Sequence, residues 1–334
     1  MGDGKVWNTT KLKVRAQGEN AGPDYKEPHI KDPDGKGVAR FIPDKHSCSM
    51  HSGFLLVPVP PAKFLVDSVF LAIRLGDWGF CAENPNVVME GAATFTICGL
   101  PVAREGDAMV HGGGKILSGS PNMLIGGPTF ALPPNLTISG DSKYSSAVVR
   151  DLYFLSTTKT GAALLDRIAA HGKKVEIDNN TTTGHCTVGD GSAAAASAMA
   201  AGQPQDSTIH YDPFKKDTQI HTADGRQPCP PQVVLGHELG HAVHAGEATG
   251  FGGSTDEETY NCGFAHPKMD DKNFKKIVKK KEEWVPKSGG KKAVKPCPTE
   301  NDLRKDLNLP ARTRYDDAAE TGPEAKDLRP GNCP

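Results

Sequence analysis

The sequence predicts two domains of different class within its 334 residues: an all-β amino-terminal domain and an α+β carboxy-terminal domain. Three observations point there. Apolar, β-rich segments ending in a Gly-Asp pair recur, first at Gly76-Asp77 and again at Gly106-Asp107. A Pro-rich stretch without periodicity follows at residues 129–146. Beyond it apolar residues fall at helical spacing, and one apolar run carries His237-Glu238-Leu239-Gly240-His241.

In chain order, residues 1–43 form an amino-terminal extension, and the repeating β domain occupies residues 44–128. Phe64-Leu65-Val66 through Leu71 precedes the first Gly-Asp pair, and Ala93-Thr94-Phe95-Thr96-Ile97-Cys98-Gly99 precedes the second. A third copy is expected from Gly119-Ser120-Pro121 to Gly127. Short strands separated by glycine turns at a fixed period predict a stacked β structure. Residues 129–146, with Pro128, Pro133 and Pro134, read as a semi-rigid connector. The second domain, residues 147–334, opens helically: Val148, Val149, Leu152 and Leu155 share one face, as do Leu164, Leu165 and Ile168.

The segment from Val233 to Ala242 is the most informative of the chain. On a helix, positions i and i+4 share a face, so His237 and His241 can aim imidazole nitrogens at one metal while Glu238 reaches a water beside it. Zinc held by three protein ligands lowers the pKa of the water in its open position from about 15.7 to roughly 7. A neighbouring carboxylate then takes the proton, and a nucleophile exists at neutral pH.

Such a site needs a third ligand, and Thr255-Asp256-Glu257-Glu258-Thr259-Tyr260-Asn261-Cys262-Gly263 offers two glutamates. Glu258 is preferred for its likeness to the third-ligand segment of gluzincin peptidases, with Glu257 as the fallback. Farther on, Arg312 and Tyr315 form an R-x-x-Y suited to stabilising a tetrahedral oxyanion, where each preorganised donor contributes on the order of 3 to 4 kcal/mol.

With these motifs in place, residues 145–315 resemble the M91 family of effector metallopeptidases, related in motif to clostridial neurotoxin light chains. Asp151-Leu152 and Thr160 to Asp166 look like the short helix that opens such domains, and Ile209-His210-Tyr211-Asp212-Pro213 like the strand bordering the cleft. The resemblance implies a zincin-like zinc metalloendopeptidase with His237, His241 and Glu258 as ligands, Glu238 as general base, and Arg312 with Tyr315 around the oxyanion. Residues 191–202, rich in alanine, glycine and serine, read as an insertion.

The first domain is similar to the PAAR domain, the conical tip of type VI secretion spikes. Gly99-Leu100-Pro101-Val102-Ala103-Arg104-Glu105-Gly106-Asp107 stands where that family has its Pro-Ala-Ala-Arg signature, with Val102 in place of the first alanine. The likeness covers residues 44–127 and implies a small cone pinned by one structural zinc. Three histidines and a cysteine hold it in that family. His46, Cys81 and His111 occupy the matching turns. The second histidine is missing where Val57-Pro58-Val59-Pro60-Pro61 stands, so His51 is the substitute and Cys48 the alternative. A domain this small gains folding energy from such a cross-link.

Composition narrows the rest. The formal net charge of −1 supplies no basic field for nucleic acid, and the Lys275 to Lys281 cluster is followed by glutamates with no interleaved aromatics. No stretch of 18 apolar residues occurs and no signal peptide is legible, so neither a membrane span nor export by a cleaved leader is expected. Export on a spike fits. Eight cysteines leave the redox compartment open: Cys186, Cys229, Cys262, Cys297 and Cys333 either pair after delivery or remain thiols.

The expectation is therefore a type VI effector that waits in the producer's cytoplasm and is secreted into a target cell. A VgrG-like trimeric spike protein is its partner through the tip, a target-cell protein its substrate, and a cognate immunity protein its companion if bacteria are attacked. It would carry two Zn²⁺ ions, one catalytic and one structural. The alternatives are a non-catalytic zinc-binding spike adaptor, whose His244 or His266 closes the open coordination position, and a hydrolase of cell-wall peptides.

Overall fold

The computed structural model describes residues 34–48, 56–59, 64–81, 85–111, 113–180, 185–189, 191–250, 254–264, 297–315 and 323–330. His51, His266, Cys333 and the Lys275 cluster lie outside them. The chain divides into two units: residues 1–131 with 141–150 and 330–334, and residues 132–140 with 151–329.

Up to residue 131, every regular element among the described residues is a strand. These are β1 (Lys36–Gly37), β2 (Leu56–Val57), β3 (Leu65–Val66), β4 (Phe70–Leu71), β5 (Trp78–Gly79), β6 (Asn86–Val87), β7 (Gly91–Ile97), β8 (Leu100–Val102), β9 (Leu124–Ile125) and β10 (Thr129–Phe130). They pair as β1-β9, β2-β5-β6, β3-β4 and β10-β7-β8, each contact antiparallel.

The repeat is physical. Asp77 Oδ2 accepts from the Arg74 main-chain N–H at 2.8 Å, and Asp107 Oδ2 accepts from that of Arg104 at 2.9 Å. Each guanidinium clamps the same carboxylate, with Nε at 3.3 and 3.2 Å. Gly76 and Gly106 carry φ of +77° and +82°, a backbone region open to glycine at little cost, so each turn can close on its aspartate.

A third copy of this turn lies at Arg40 and Asp44, where Asp44 Oδ2 accepts from the Arg40 main chain and from its Nε, both at 2.9 Å. It had been expected at Gly119. One extra residue and a proline, Phe41-Ile42-Pro43, replace the Gly spacing and hide it in sequence. The Gly119 segment instead lies beside the Arg40–Asp44 turn: a Cβ on Gly119 would stand 2.2 Å from Gly37 O, and Arg40 Nη2 donates to Gly119 O at 3.3 Å.

The three copies close a ring. Ala39 N–H donates to Ala103 O at 2.9 Å, Ala103 N–H to Ile73 O at 2.9 Å, and Ile73 N–H to Ala39 O at 3.0 Å. Beside it, Val38, Ala72, Val102, Val66 and Ala92 form one apolar cluster, and Ala39, Ile73, Ala103, Leu56 and Met109 another.

The second unit holds a four-stranded sheet in the order β11 (Leu136–Ser139), β12 (Val175–Asp178), β14 (Ser207–His210), β13 (His185–Val188). The first three run parallel and β13 is antiparallel at the edge. Thus residues 129–146, read as a connector, carry β10, β11 and the start of helix α1 (Ser142–Ser156). The Ile209 segment, expected as the cleft-bordering strand, forms β14 in the sheet interior, and both it and the edge strand β13 pack against α4 (Pro231–Glu247).

Helix α2 (Lys159–His171) starts at Thr158, whose side chain accepts from Gly161 N–H, and stops at Gly172 in the left-handed region. Residues 191–202, read as an insertion, contain α3 (Ala193–Ala200). A second small sheet runs in the order β16 (Gly225–Pro228), β15 (Gln219–Thr222), β17 (Arg312–Arg314); helix α5 (Ser254–Cys262) follows α4, and α6 (Glu300–Asp306) is tied to β17 by Arg312 N–H, which donates to Asn301 Oδ1 at 2.8 Å. Helix α4 is the hub, packed by α2, α5, α6, β13 and β14. Its prolines at Pro230 and Pro231 suit a helix start, and Val233, Leu235, Leu239, Ala242 and Val243 are fully buried.

Candidate metal centre

Helical geometry delivers the first two groups. One turn apart on α4, His237 and His241 have their Nε2 atoms 3.1 Å from each other. Helix α5 crosses this face because Gly240 leaves room: a Cβ there would stand 2.2 Å from Asn261 Oδ1. Asn261 Nδ2 donates to His237 O at 2.8 Å and locks the crossing. Glu258, one turn earlier on α5, then meets both rings, with Oε2 2.9 Å from His237 Nε2 and Oε1 3.2 Å from His241 Nε2.

Three neutral or anionic donors thus converge on one point. In a tetrahedral zinc site with bonds of about 2.0 to 2.1 Å, ligand atoms lie about 3.3 Å apart, close to the separations found here. The donor set, two imidazoles and a carboxylate, suits Zn²⁺ with one position left for water or substrate. Glu238, on the same helix, is buried, and burial raises its carboxyl above the usual carboxylate range.

Behind each imidazole stands a carboxylate. Glu300 Oε2 lies 2.9 Å from His237 Nδ1, and Glu257 Oε1 lies 3.4 Å from His241 Nδ1. Accepting from Nδ1 leaves the Nε2 lone pair pointing at the metal position, and carboxylates in this second layer orient ligands in many zinc sites. Burial alone would raise the Glu300 carboxyl; the His237 and Arg312 donors override it and carry it down to about 2. Burial also pushes His241 down, and Glu257 and Glu258 more than offset it, taking it up to about 9 when no metal is bound.

Glu257, the fallback third ligand, therefore sits behind His241 rather than beside it. Sequence reasoning assigned Glu300 no role. Its signal is the capping box at Thr299 and Asp302: Thr299 Oγ1 accepts from Asp302 N–H at 3.2 Å and Asp302 Oδ2 from Thr299 N–H at 3.0 Å. That box places Glu300 in the first turn of α6, where the helix dipole favours a carboxylate.

Arg312 and Tyr315 reach the same centre. Tyr315 stacks on His237 with centroids 6.3 Å apart, and the Arg312 guanidinium lies 4.6 Å over the Tyr315 ring. Two Arg312 donors are already committed, Nη1 to Glu300 Oε2 at 3.0 Å and Nε to Arg314 O at 3.1 Å. Burial, followed by the Glu258 charge, pushes the Tyr315 hydroxyl up to about 12, so it keeps its proton. His244 faces elsewhere: its Nδ1 meets Glu257 and its Nε2 lies 2.9 Å from Cys297 Sγ.

In the first unit the ligand set differs from the expected one. Cys48, Cys81 and His111 place their ligand atoms within 4.8 Å of one another. His46 is absent from this group. Its Nδ1 lies 3.0 Å from Ser47 O and its Nε2 2.9 Å from Phe80 O, so both nitrogens are turned to carbonyls, and the ring packs so close to Gly79 that a Cβ there would stand 2.5 Å from it. Cys48, the alternative, stands where a ligand is needed. Cys98 is disulfide-bonded, whereas Cys186, Cys229, Cys262 and Cys297 are not.

The Peptidase_M91 family, described as effector protein, matches residues 133–315. No curated protein matches the chain. Among solved structures, the botulinum neurotoxin type G light chain shows 14% identity and a TM-score of 0.39, covering 55% of this chain and 69% of that one. The catalytic domain of Clostridium botulinum neurotoxin serotype F shows 12% identity and a TM-score of 0.36, covering 52% and 67%. Likeness at this level leaves the chemistry to be read from the residues themselves.

Proposed function

The chain belongs to the M91 peptidase family of effector proteins, matched over more than half its length, and we propose that its second unit is a zinc endopeptidase toxin acting on a target-cell protein. The convergence of His237 Nε2, His241 Nε2 and the Glu258 carboxylate on one point carries this reading. Bound zinc supplies the positive charge that acidifies water and polarises a carbonyl. Glu238 takes a proton from the attacking water and delivers it to the leaving amine. Glu300 and Glu257 hold the two imidazoles in the Nδ1–H tautomer, and Glu300 also positions Arg312. Tyr315, protonated and stacked on His237, is placed to donate to the developing oxyanion, with Arg312 reinforcing it.

Two features support delivery on a spike. The ring of backbone hydrogen bonds through Ala39, Ile73 and Ala103 gives the first unit an approximate three-fold repeat, which suits a PAAR-like cap seated on a trimeric, VgrG-like spike protein. The Cys48, Cys81 and His111 cluster supplies three of the four ligands a structural zinc requires. No helix among the described residues is long and apolar enough to cross a membrane. Of the two closing ligands named for the non-catalytic adaptor reading, His244 is turned to Glu257 and Cys297, and His266 lies outside the described residues.

Zinc per chain by elemental analysis, combined with cleavage of a peptide library by the full-length protein, tests the reading. Glu238→Ala keeps its metal and loses at least about a thousandfold in rate, as expected for a general base whose removal also disturbs the nucleophile. His241→Ala loses one zinc and all cleavage. Retention of full zinc by His241→Ala would remove the peptidase reading.

A further inference from the structure

Outside the metal centre, the most unusual cluster in the second unit is a buried line of four side chains. Cys297 Sγ lies 2.9 Å from His244 Nε2; His244 Nδ1 meets Glu257 Oε1; and Glu257 Oε1 lies 3.4 Å from His241 Nδ1. Cys297 is 2% exposed, His244 1%, and Glu257 and His241 8% each.

One protonation pattern gives every link a donor and an acceptor. His241 Nδ1–H and His244 Nδ1–H both donate to Glu257, which leaves His244 Nε2 as an acceptor and Cys297 S–H as its donor. The Cys297 S–H, donating to Nε2, reinforces the Nδ1–H tautomer of His244 that gives Glu257 one of its two imidazole donors. A thiol, imidazole and carboxylate in this order also describe an activated nucleophile, but Cys297 is buried, at 2% exposure.

We propose that Cys297 is a positioning residue of the metal centre: through His244 and Glu257 it holds the His241 imidazole with Nε2 presented to zinc. This rests on the reading of His237, His241 and Glu258 as a zinc site. It adds a third layer, contributed from well beyond the end of α5 in sequence, to a carboxylate layer whose members typically alter metal affinity by about 10- to 100-fold when removed.

The test is zinc affinity, by chelator competition, on the full-length chain carrying Cys81→Ser so that the cluster in the first unit does not contribute. Cys297→Ala is expected to weaken zinc binding about tenfold. Cys297→Ser, whose hydroxyl donates across the same 2.9 Å gap, should restore it to within about threefold of the parent. Glu257→Gln breaks the line one step nearer the metal, so adding Cys297→Ala to it should cost nothing more. Unchanged affinity in Cys297→Ala overturns the proposal, as does equal loss in Cys297→Ser, which would indicate packing alone, or additive losses in the double variant. A parent that binds no zinc overturns both this proposal and the zinc-site reading. A parent that binds zinc tightly, responds as described and cleaves no peptide supports the positioning role while sinking the peptidase reading.

Discussion

Glu300 accepts a hydrogen bond from His237 Nδ1 at 2.9 Å, across 63 residues of chain, and the same oxygen takes Arg312 Nη1 at 3.0 Å. One carboxylate oxygen thereby sets the tautomer of the His237 imidazole and the position of a cation beside Tyr315. The arrangement is buried, with Glu300 at 3% exposure, so neither bond has water to replace it.

Glu300→Gln should therefore lower zinc affinity about 10- to 100-fold, because a neutral amide oxygen accepts more weakly than the carboxylate oxygen that serves both His237 Nδ1 and Arg312 Nη1. It should also lower stability by about 3 kcal/mol by leaving the Arg312 charge without its anion. Chelator competition and urea unfolding read the two effects. Affinity within twofold of the parent would show that Glu300 does not orient His237.

Gly240→Ala should destabilise the protein by about 1 to 3 kcal/mol through overpacking. The added methyl meets Asn261 Oδ1 at 2.2 Å, and Asn261 is itself buried and bonded to His237 O. Helix α5 must shift, and Glu258 shifts with it. Zinc affinity should fall along with the melting temperature, and a melting temperature equal to the parent's would refute the tight α4–α5 crossing.

His171 predicts a pH dependence. Its ring packs against Gly246, and burial first, then the Arg167 charge, lowers it from 6.5 to about 4, with Asp206 opposing and Lys173 adding to the shift. The folded state holds it neutral, so the unfolded chain binds the proton more readily between those values. Its contribution is complete above pH 6.5 and is lost as pH falls toward 4, about 2 kcal/mol once solvent screening is allowed for. His171→Gln should flatten the urea midpoint between pH 6.5 and 4.5; parallel pH profiles for parent and variant would exclude this assignment.

The first-unit cluster predicts which cysteine matters. Cys48→Ala and Cys81→Ala should each remove one zinc from the full-length protein, whereas His46→Ala should leave the metal count unchanged while disturbing the carbonyls of Ser47 and Phe80. Loss of zinc in His46→Ala alone would restore the ligand set expected from sequence.

Much of this was legible in the residues. The spacing of His237 and His241 fixes a shared helix face, and Glu258 follows on the next helix, where the structure brings it to both imidazoles. The Gly-Asp pairs marked two of three equivalent turns, and the third was hidden because Phe41-Ile42-Pro43 changes its length while keeping the Arg–Asp clamp. Cys48 was weighed only as an alternative to His51, since nothing in the sequence shows that His46 turns its nitrogens to backbone carbonyls.

Local periodicity was enough to specify the H-E-x-x-H helix and the relative placement of its two imidazoles and Glu238, because those relations span a single turn or two and follow from the 3.6-residue repeat. Tertiary packing alone decided that Glu300 rather than another acidic residue stands behind His237, that Glu257 stands behind His241, and that Cys297 stands behind His244. Those partners come from segments 63, 16 and 53 positions away. No helical or strand period relates such positions, so only the crossing of α5 and α6 over the hub helix, set by Gly240, Asn261 and the α6 cap, brings them together.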